Sequence, residues 1–302
     1  MSKETHQGQR SSADEKLTEG LGTLSLTPSP EDAKPGEELK RVDIPELFSL
    51  KGQVAAVTGG SRGLGLEMMR SLAACGADVA CIDLMVEAGA QACEEIAKTY
   101  GVEARFYMCD VADEKQVSSV FSWIGKEFSR PVTILVTAAG IVDNIPAREY
   151  PSNRFRRVMD INVNGTFFCA QAAANQMLTS GKPGSIIFVG SMSGQVVNRP
   201  QPQAAYNASK AAVAHLAKSL ACEWAPHGIR VNVVSPGYME TNLVSQVLAG
   251  NPALRKIWEE STPMRRMGQP RELHGVIAFL ASEASSYMTG TELTLDGGYT
   301  CW

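Results

Sequence analysis

From Leu50 to the C-terminus, short apolar runs alternate with longer amphipathic stretches, and that alternation leaves few folds open. The runs are VAAVT (54–58), DVACI (78–82), ARFYMC (104–109), TILVTA (133–138), SIIFVG (185–190), IRVNVVS (229–235) and ELTL (292–295). Each has the length of a strand, and none shows the polar alternation of a sheet with one wet face. Strands covered on both faces read this way. Helical periods lie between them. After Asp113, with Gln116 three residues on as capping partner, apolar residues fall at Val117, Val120, Phe121, Ile124 and Phe128. After Tyr206 they fall at Val213, Leu216, Ala217, Leu220 and Trp224. The repeated β-α unit predicts an α/β fold, a doubly wound parallel sheet with helices on both faces, as one domain over residues 46–302.

Residues 1–45 are of another kind, rich in Ser, Thr, Glu, Lys, Gly and Pro with few aromatics, and are expected to form a flexible tail. Its Ser-Pro and Thr-Pro steps could be phosphorylated, but turn-rich linker is the simpler reading. The formal net charge of −4 argues against nucleic acid or an anionic membrane as the main partner. No apolar run approaches the roughly 18 residues a membrane span needs. The N-terminus lacks a hydrophobic signal core and carries Glu4, Asp14, Glu15 and Glu19, so a cytoplasmic protein is expected. Cysteines 75, 81, 93, 109, 169, 222 and 301 are scattered and form no C-x-x-C. Reduced thiols are expected, with neither a disulfide framework nor a metal site.

The first run leads directly into TGGSRGLG (58–65) and then into a helical period. Gly59 permits the tight turn, Gly63 leaves room for a backbone approach to a pyrophosphate, and Gly65 lets the helix pack on the sheet. Ser61, Arg62 and Leu64 complete the loop. A glycine-rich turn alone is weak evidence, because turns collect glycine. Between a buried strand and a helix it reads as a Rossmann-like dinucleotide site, the more so with Asp83 closing the next strand about 20 residues on. A carboxylate there accepts from the adenosine ribose hydroxyls and repels a 2′-phosphate. Arg62 argues the other way unless it pairs with Asp83 or is solvated. NAD is favoured, and NADP stays open.

Tyr206-Asn-Ala-Ser-Lys210 stacks Tyr and Lys at i and i+4 on one helix face. A free phenol, with a pKa of roughly 10, is a poor base at neutral pH, and a neighbouring ammonium favours the phenolate. The pair follows the fifth run, whose end carries Ser191 and Ser193 on the rim where doubly wound sheets bind ligands.

Together these residues resemble the short-chain dehydrogenase/reductase family from Leu50 to the C-terminus. The matched motifs are TGGSRGLG, Asp110-Val111, Asn162 in DINVNGTF, Ser191, YNASK, SPGYMET and LDGGY. The resemblance implies that Tyr206 is the general acid/base, that Lys210 binds the nicotinamide ribose and tunes Tyr206, and that Ser191 holds the reacting oxygen. It implies a water relay through Asn162 and an adenine contact from Asp110 with Val111. Ala139 and Gly140 would line the cofactor, and Pro236, Gly237 and Thr241 its nicotinamide end. Ser193 rivals Ser191, which is preferred as the first serine after the strand. The family's usual Asn-Asn-Ala-Gly is here Thr137-Ala138-Ala139-Gly140, and loss of an amide at Ala138 is expected to soften the cofactor site.

Within the family, SMSGQVVNRPQPQAAYNASK and PMRRMGQPREL resemble the polyol dehydrogenase branch, which interconverts polyols and ketoses. Gln195, Asn198, Gln201 and Gln203 could bond several hydroxyls, or could simply be a polar surface loop. Residues 238–265, with Tyr238, Met239, Leu243, Val247, Leu248 and Trp258, are expected to form a mobile lid that would equally suit a bulkier apolar ketone. His215 should point away from the site, and His227 and His274 lack clustered partners in sequence. The resemblance implies a homotetramer or homodimer built through residues 153–178 and 206–226. A catalytically silent nucleotide-binding scaffold is the reading from another class, and the intact Ser191, Tyr206 and Lys210 speak against it.

Overall fold

The computed structural model describes residues 43–302, so the expected tail lies almost wholly outside the described residues. Seven strands form one sheet: β1 (Val54–Thr58), β2 (Asp78–Asp83), β3 (Ala104–Met108), β4 (Val132–Thr137), β5 (Gly184–Val189), β6 (Ile229–Pro236) and β7 (Glu292–Leu295). Every neighbouring pair is parallel, in the order β3-β2-β1-β4-β5-β6-β7. The seven apolar runs are the seven strands. Strand order reverses between β1 and β4, whose ends Thr58 and Thr137 are register partners, and a crevice opens beyond such a switch point.

After a single helical turn at Ile44–Leu47, the helices are α1 (Gly63–Ala74), α2 (Val86–Tyr100), α3 (Glu114–Glu127), α4 (Ser152–Met159), α5 (Gly165–Ser180), α6 (Ala204–Trp224), α7 (Asn242–Ala249), α8 (Pro252–Ser261) and α9 (His274–Ala281). They cover both faces of the sheet because successive strand residues point to opposite sides. Ala56, Ala80, Ile82, Leu135, Ile186 and Phe188 pack with α3, α5 and α6. Ala55, Val57, Val79, Cys81, Ile134 and Val136 pack with α1, α2 and α9. The predicted apolar stripe of α3 is buried throughout. Its cap differs in detail from a capping box: Asp113 accepts from the amides of Lys115 and Gln116, while the Gln116 side chain bonds the Asp113 carboxylate and the Asp110 amide.

Residues 238–265, the expected lid, hold two helices, α7 and α8, and Leu248 and Trp258 are buried there with Met267 as a small cluster. The side chains of Leu243 and Val247 lie outside the described residues. All seven cysteines are free thiols. Among the described residues no helix is long and apolar enough to cross a membrane.

Candidate active site

The glycine loop leaves β1 with Gly59 at φ +67, where its amide donates to Ile82 O. A Cβ on Gly59 would stand 2.8 Å from the Ala139 nitrogen, so glycine there lets the β1 and β4 loops touch. Gly63 opens α1 at φ +58 with nothing within 4 Å of where its Cβ would be. Gly65 has no room for a side chain against Gly59 O. The result is a bare backbone cradle at a helix N-terminus, a fit for the pyrophosphate of a dinucleotide.

Asp83 closes β2 beside this cradle. Its carboxylate accepts from Ser61 N at 3.1 Å, Leu84 N at 2.7 Å and Met85 N at 3.2 Å, which fixes it at the loop. Arg62 is exposed and forms no ion pair with Asp83, so of its sequence readings the salt bridge is the one not found. Asp110 accepts from Ala112 N at 3.0 Å and from Arg157 at 2.9 Å, on the same rim. Val111 is buried beneath it, against Gly165.

The loop after β4 is held without the missing amide. Ala138 N donates to Thr58 O and Ala139 N to Thr58 Oγ1, each at 3.1 Å. Thr58 therefore supplies a tie that the loss at Ala138 was expected to remove, and within this loop the Thr137 hydroxyl is buried without a partner among the described residues.

Asn162 is 1% exposed and sits in a π-helical turn, Asp160–Asn164, between α4 and α5. Such a turn inserts one residue into the helical ladder and re-aims its side chains. Asn162 Oδ1 accepts from Ile141 N at 2.9 Å; Nδ2 donates to Ile141 O at 2.9 Å and Ser209 Oγ at 3.0 Å. The side chain is thus a brace between the β4 loop and α6. Its main-chain carbonyl accepts from Thr166 Oγ1 at 2.8 Å. Sequence reading missed Ser209, although it stands inside YNASK, three residues after Tyr206.

Ser191 leaves β5 in extended conformation, buried, and its hydroxyl accepts from Ser193 N at 3.2 Å. Ser193 Oγ is turned away and donates to Asn198 Oδ1 at 2.9 Å, which separates the two serines. Gly194 is required beside them, because a Cβ would lie 2.8 Å from the Lys210 carbonyl carbon. Tyr206 and Lys210 share one face of α6. Burial pushes the Tyr206 phenol up from its usual value, and the neighbouring Ser191 hydroxyl draws it partly back. Lys210 is 6% exposed; its Nζ donates to Val189 O at 2.7 Å and lies 5.6 Å from the Tyr206 ring centroid. Desolvation brings its pKa down from 10.5 to about 8. The Tyr206 phenol is thus raised by its burial, against the lowering expected from the neighbouring ammonium. A Cβ on Gly140 would come 3.7 Å from Lys210 Nζ, so that glycine keeps open space at the ammonium.

Pro236 ends β6, and Gly237 follows where a Cβ would meet Asp296 at 2.6 Å. Thr241 caps α7 through Val244 N at 3.3 Å. Tyr238 stacks on Trp258 at 4.1 Å between centroids, and burial pushes its hydroxyl up to about 12. Asp143 had no signal in the sequence. It is buried three residues past Gly140, bound by Arg154 and by Tyr150 Oη at 3.0 Å, and Arg154 holds its carboxyl below the usual range. The histidines stand apart: His215 and His227 are exposed, and His274 bonds Glu67 at 2.8 Å.

Residues 59–300 match the family described as enoyl-(acyl carrier protein) reductase. A ribulose-forming D-arabinitol 2-dehydrogenase of Candida tropicalis is 42% identical over 268 residues, covering 84% of this chain and 95% of that protein. A short-chain type dehydrogenase/reductase from Mycobacterium marinum superposes with a TM-score of 0.80 at 41% identity, covering 86% of this chain and all of that one. A gluconate 5-dehydrogenase from Burkholderia cenocepacia, solved with NADP and tartrate, superposes with a TM-score of 0.81 at 33% identity, covering 86% of this chain and 100% of that one. The chain belongs to the short-chain dehydrogenase/reductase family, a family of NAD(P)-dependent oxidoreductases.

Proposed function

We propose that the chain interconverts a polyol and a ketose. The observation that carries this reading is the convergence of Ser191, Tyr206 and Lys210 on the rim beside a loop rich in amides. The arabinitol-oxidising relative supports the substrate class. Of the apolar residues that favoured a bulkier ketone, Tyr238, Leu248 and Trp258 pack with one another and with Met267, which weakens that alternative.

When bound, a nicotinamide dinucleotide supplies or accepts the hydride. The residues that would hold it are Gly59, Ser61, Arg62, Gly63, Leu64 and Gly65 at the pyrophosphate, with Asp83, Asp110 and Val111 toward the adenosine. Ala139, Gly140, Pro236, Gly237 and Thr241 would line the nicotinamide end. Asp83, aligned by three amides, favours NAD; Arg62, exposed and without an ion pair among the described residues, leaves NADP open. Ser191 orients the carbonyl oxygen. Tyr206, kept as a phenol at neutral pH by burial, donates its proton to that oxygen as negative charge develops there. Lys210 places positive charge beneath the phenol and offers a donor to a ribose hydroxyl. Asn162 braces Ile141 and Ser209, and its main-chain carbonyl would carry the relay water.

The seven free thiols fit a reducing compartment, which supports a cytoplasmic location. Exposed Phe155 and Leu178 on α4 and α5 support association into a homodimer or homotetramer, which light scattering would measure. The activity is tested by absorbance at 340 nm with NADH and NADPH against fructose, xylulose and ribulose. Oxidation with a ketose supports the reading; silence with retained cofactor binding moves it to a bulkier ketone.

A further inference from the structure

Four amide side chains crowd the segment leading to Tyr206, and the structure separates them by what they already bond. Gln195 Nε2 donates to Thr294 Oγ1 at 2.8 Å. Asn198 is taken up at both ends, accepting from Ser193 Oγ and donating to Tyr238 Oη. Gln201 lies against the Tyr238 hydroxyl, and in the amide orientation that satisfies its neighbours its oxygen accepts from Trp258 Nε1 at 3.2 Å. Gln203 is different. Its Nε2 donates to Asn144 Oδ1 at 2.9 Å, but its Oε1 is buried without any donor among the described residues, in a residue only 9% exposed. A buried acceptor left unmet costs free energy, and each such group needs a reason.

Asn207 Oδ1 repeats the condition. Asn207 N donates to Gln203 O at 2.9 Å, so the two residues stand one helical turn apart with Tyr206 between them. Gln203 is the N-cap residue of the helix, and Tyr206, Asn207 and Lys210 follow it at i+3, i+4 and i+7, one and two turns on along the same side. Asn144 reaches Gln203 from the segment that begins at Gly140, the glycine whose Cβ would approach Lys210 Nζ. Two unmet acceptors therefore bracket the tyrosine along its helix. A ligand rich in O–H donors answers them, and an apolar ketone does not.

We propose that Gln203 Oε1 and Asn207 Oδ1 accept hydrogen bonds from substrate hydroxyls near the reacting carbon, with Asn144 turning the Gln203 amide to present its oxygen. This rests on the polyol–ketose reading above and names the residues that make a hydroxylated chain preferred over its deoxygenated analogue. Gln203 and Asn207 are specificity residues, and Asn144 is a positioning residue. Asn144 is exposed, so removing the Gln203 amide returns it to water without stranding a buried partner.

The test compares kcat/KM of the full chain on xylulose and on 2-pentanone, a five-carbon ketone without hydroxyls, with whichever cofactor the wild type prefers. Gln203→Leu lowers the xylulose to 2-pentanone ratio about 10-fold or more, through KM more than kcat. Its Tm holds or rises, since an unmet acceptor is replaced by an apolar group. A purely structural glutamine would instead lower Tm and depress both substrates together. Asn144→Ala, a surface change that keeps the fold testable if Gln203→Leu does not accumulate, lowers the ratio in the same direction by a smaller factor. An unchanged ratio in the variants, with wild type active on xylulose, overturns the assignment and leaves the polyol reading standing. A wild type that reduces 2-pentanone but no ketose overturns both.

Discussion

Lys210 is the buried cation of the proposed site, and its own stability effect can be worked out. Among the described residues no carboxylate pairs with it; its contact is the Val189 carbonyl. Desolvation lowers its pKa from 10.5 to about 8. Below pH 8 the lysine is charged in both folded and unfolded chains, and the folded state bears the full cost of the buried charge. Between pH 8 and 10.5 the unfolded chain holds more protons than the folded one, so this contribution to stability rises with pH across that window. At 1.36 kcal/mol per pK unit the cost below pH 8 is about 3 kcal/mol. Lys210→Met keeps the stem and removes the charge, and the lost bond to Val189 O offsets part of the gain. The variant is therefore expected to be as stable as wild type at pH 7, or more stable by up to about 3 kcal/mol. That advantage shrinks by about 2 kcal/mol at pH 9.5. Urea unfolding followed by tryptophan fluorescence at the two pH values measures both quantities. A variant less stable than wild type by more than about 1 kcal/mol at pH 7, or a difference that ignores pH, would refute the reasoning.

Gly59→Ala meets both a left-handed φ of +67 and the Ala139 backbone at 2.8 Å, so NADH binding by fluorescence titration should weaken at least 10-fold, with Tm lowered. Unaltered binding would show that the β1 and β4 loops separate easily. Ser191→Ala should lower kcat by about 10²-fold, whereas Ser193→Ala should chiefly lower Tm, because its hydroxyl is spent on Asn198. The opposite pattern would exchange the two serines. Asp83→Ser should shift the ratio of kcat/KM for NADH over NADPH toward NADPH, and an unmoved ratio would remove Asp83 from cofactor choice.

The fold was legible because continuous apolar runs have only one good use in a chain with helical periods between them, and each run became a parallel strand. The cradle was legible because Gly59, Gly63 and Gly65 are needed for backbone conformation and close approach, which glycine alone supplies at that spacing. What stayed hidden depends on contacts across long sequence separation. The π turn at Asn162 has no periodic signature, and its brace runs to Ile141 and Ser209. Asp143 and Arg154 read as ordinary loop and helix charges until folding buries the carboxylate. His274 lacked a partner in sequence because Glu67 lies 207 residues away. The four amides of the segment before Tyr206 looked equivalent, and only their bonding distinguishes Gln203.

The most direct test of the central claim is the turnover of Tyr206→Phe on a ketose that the wild type reduces, read at 340 nm beside cofactor binding and Tm. The account predicts a loss of kcat of about 10²–10⁴-fold with cofactor affinity and Tm retained. Undiminished turnover would place the proton donor elsewhere and contradict the assignment of Tyr206.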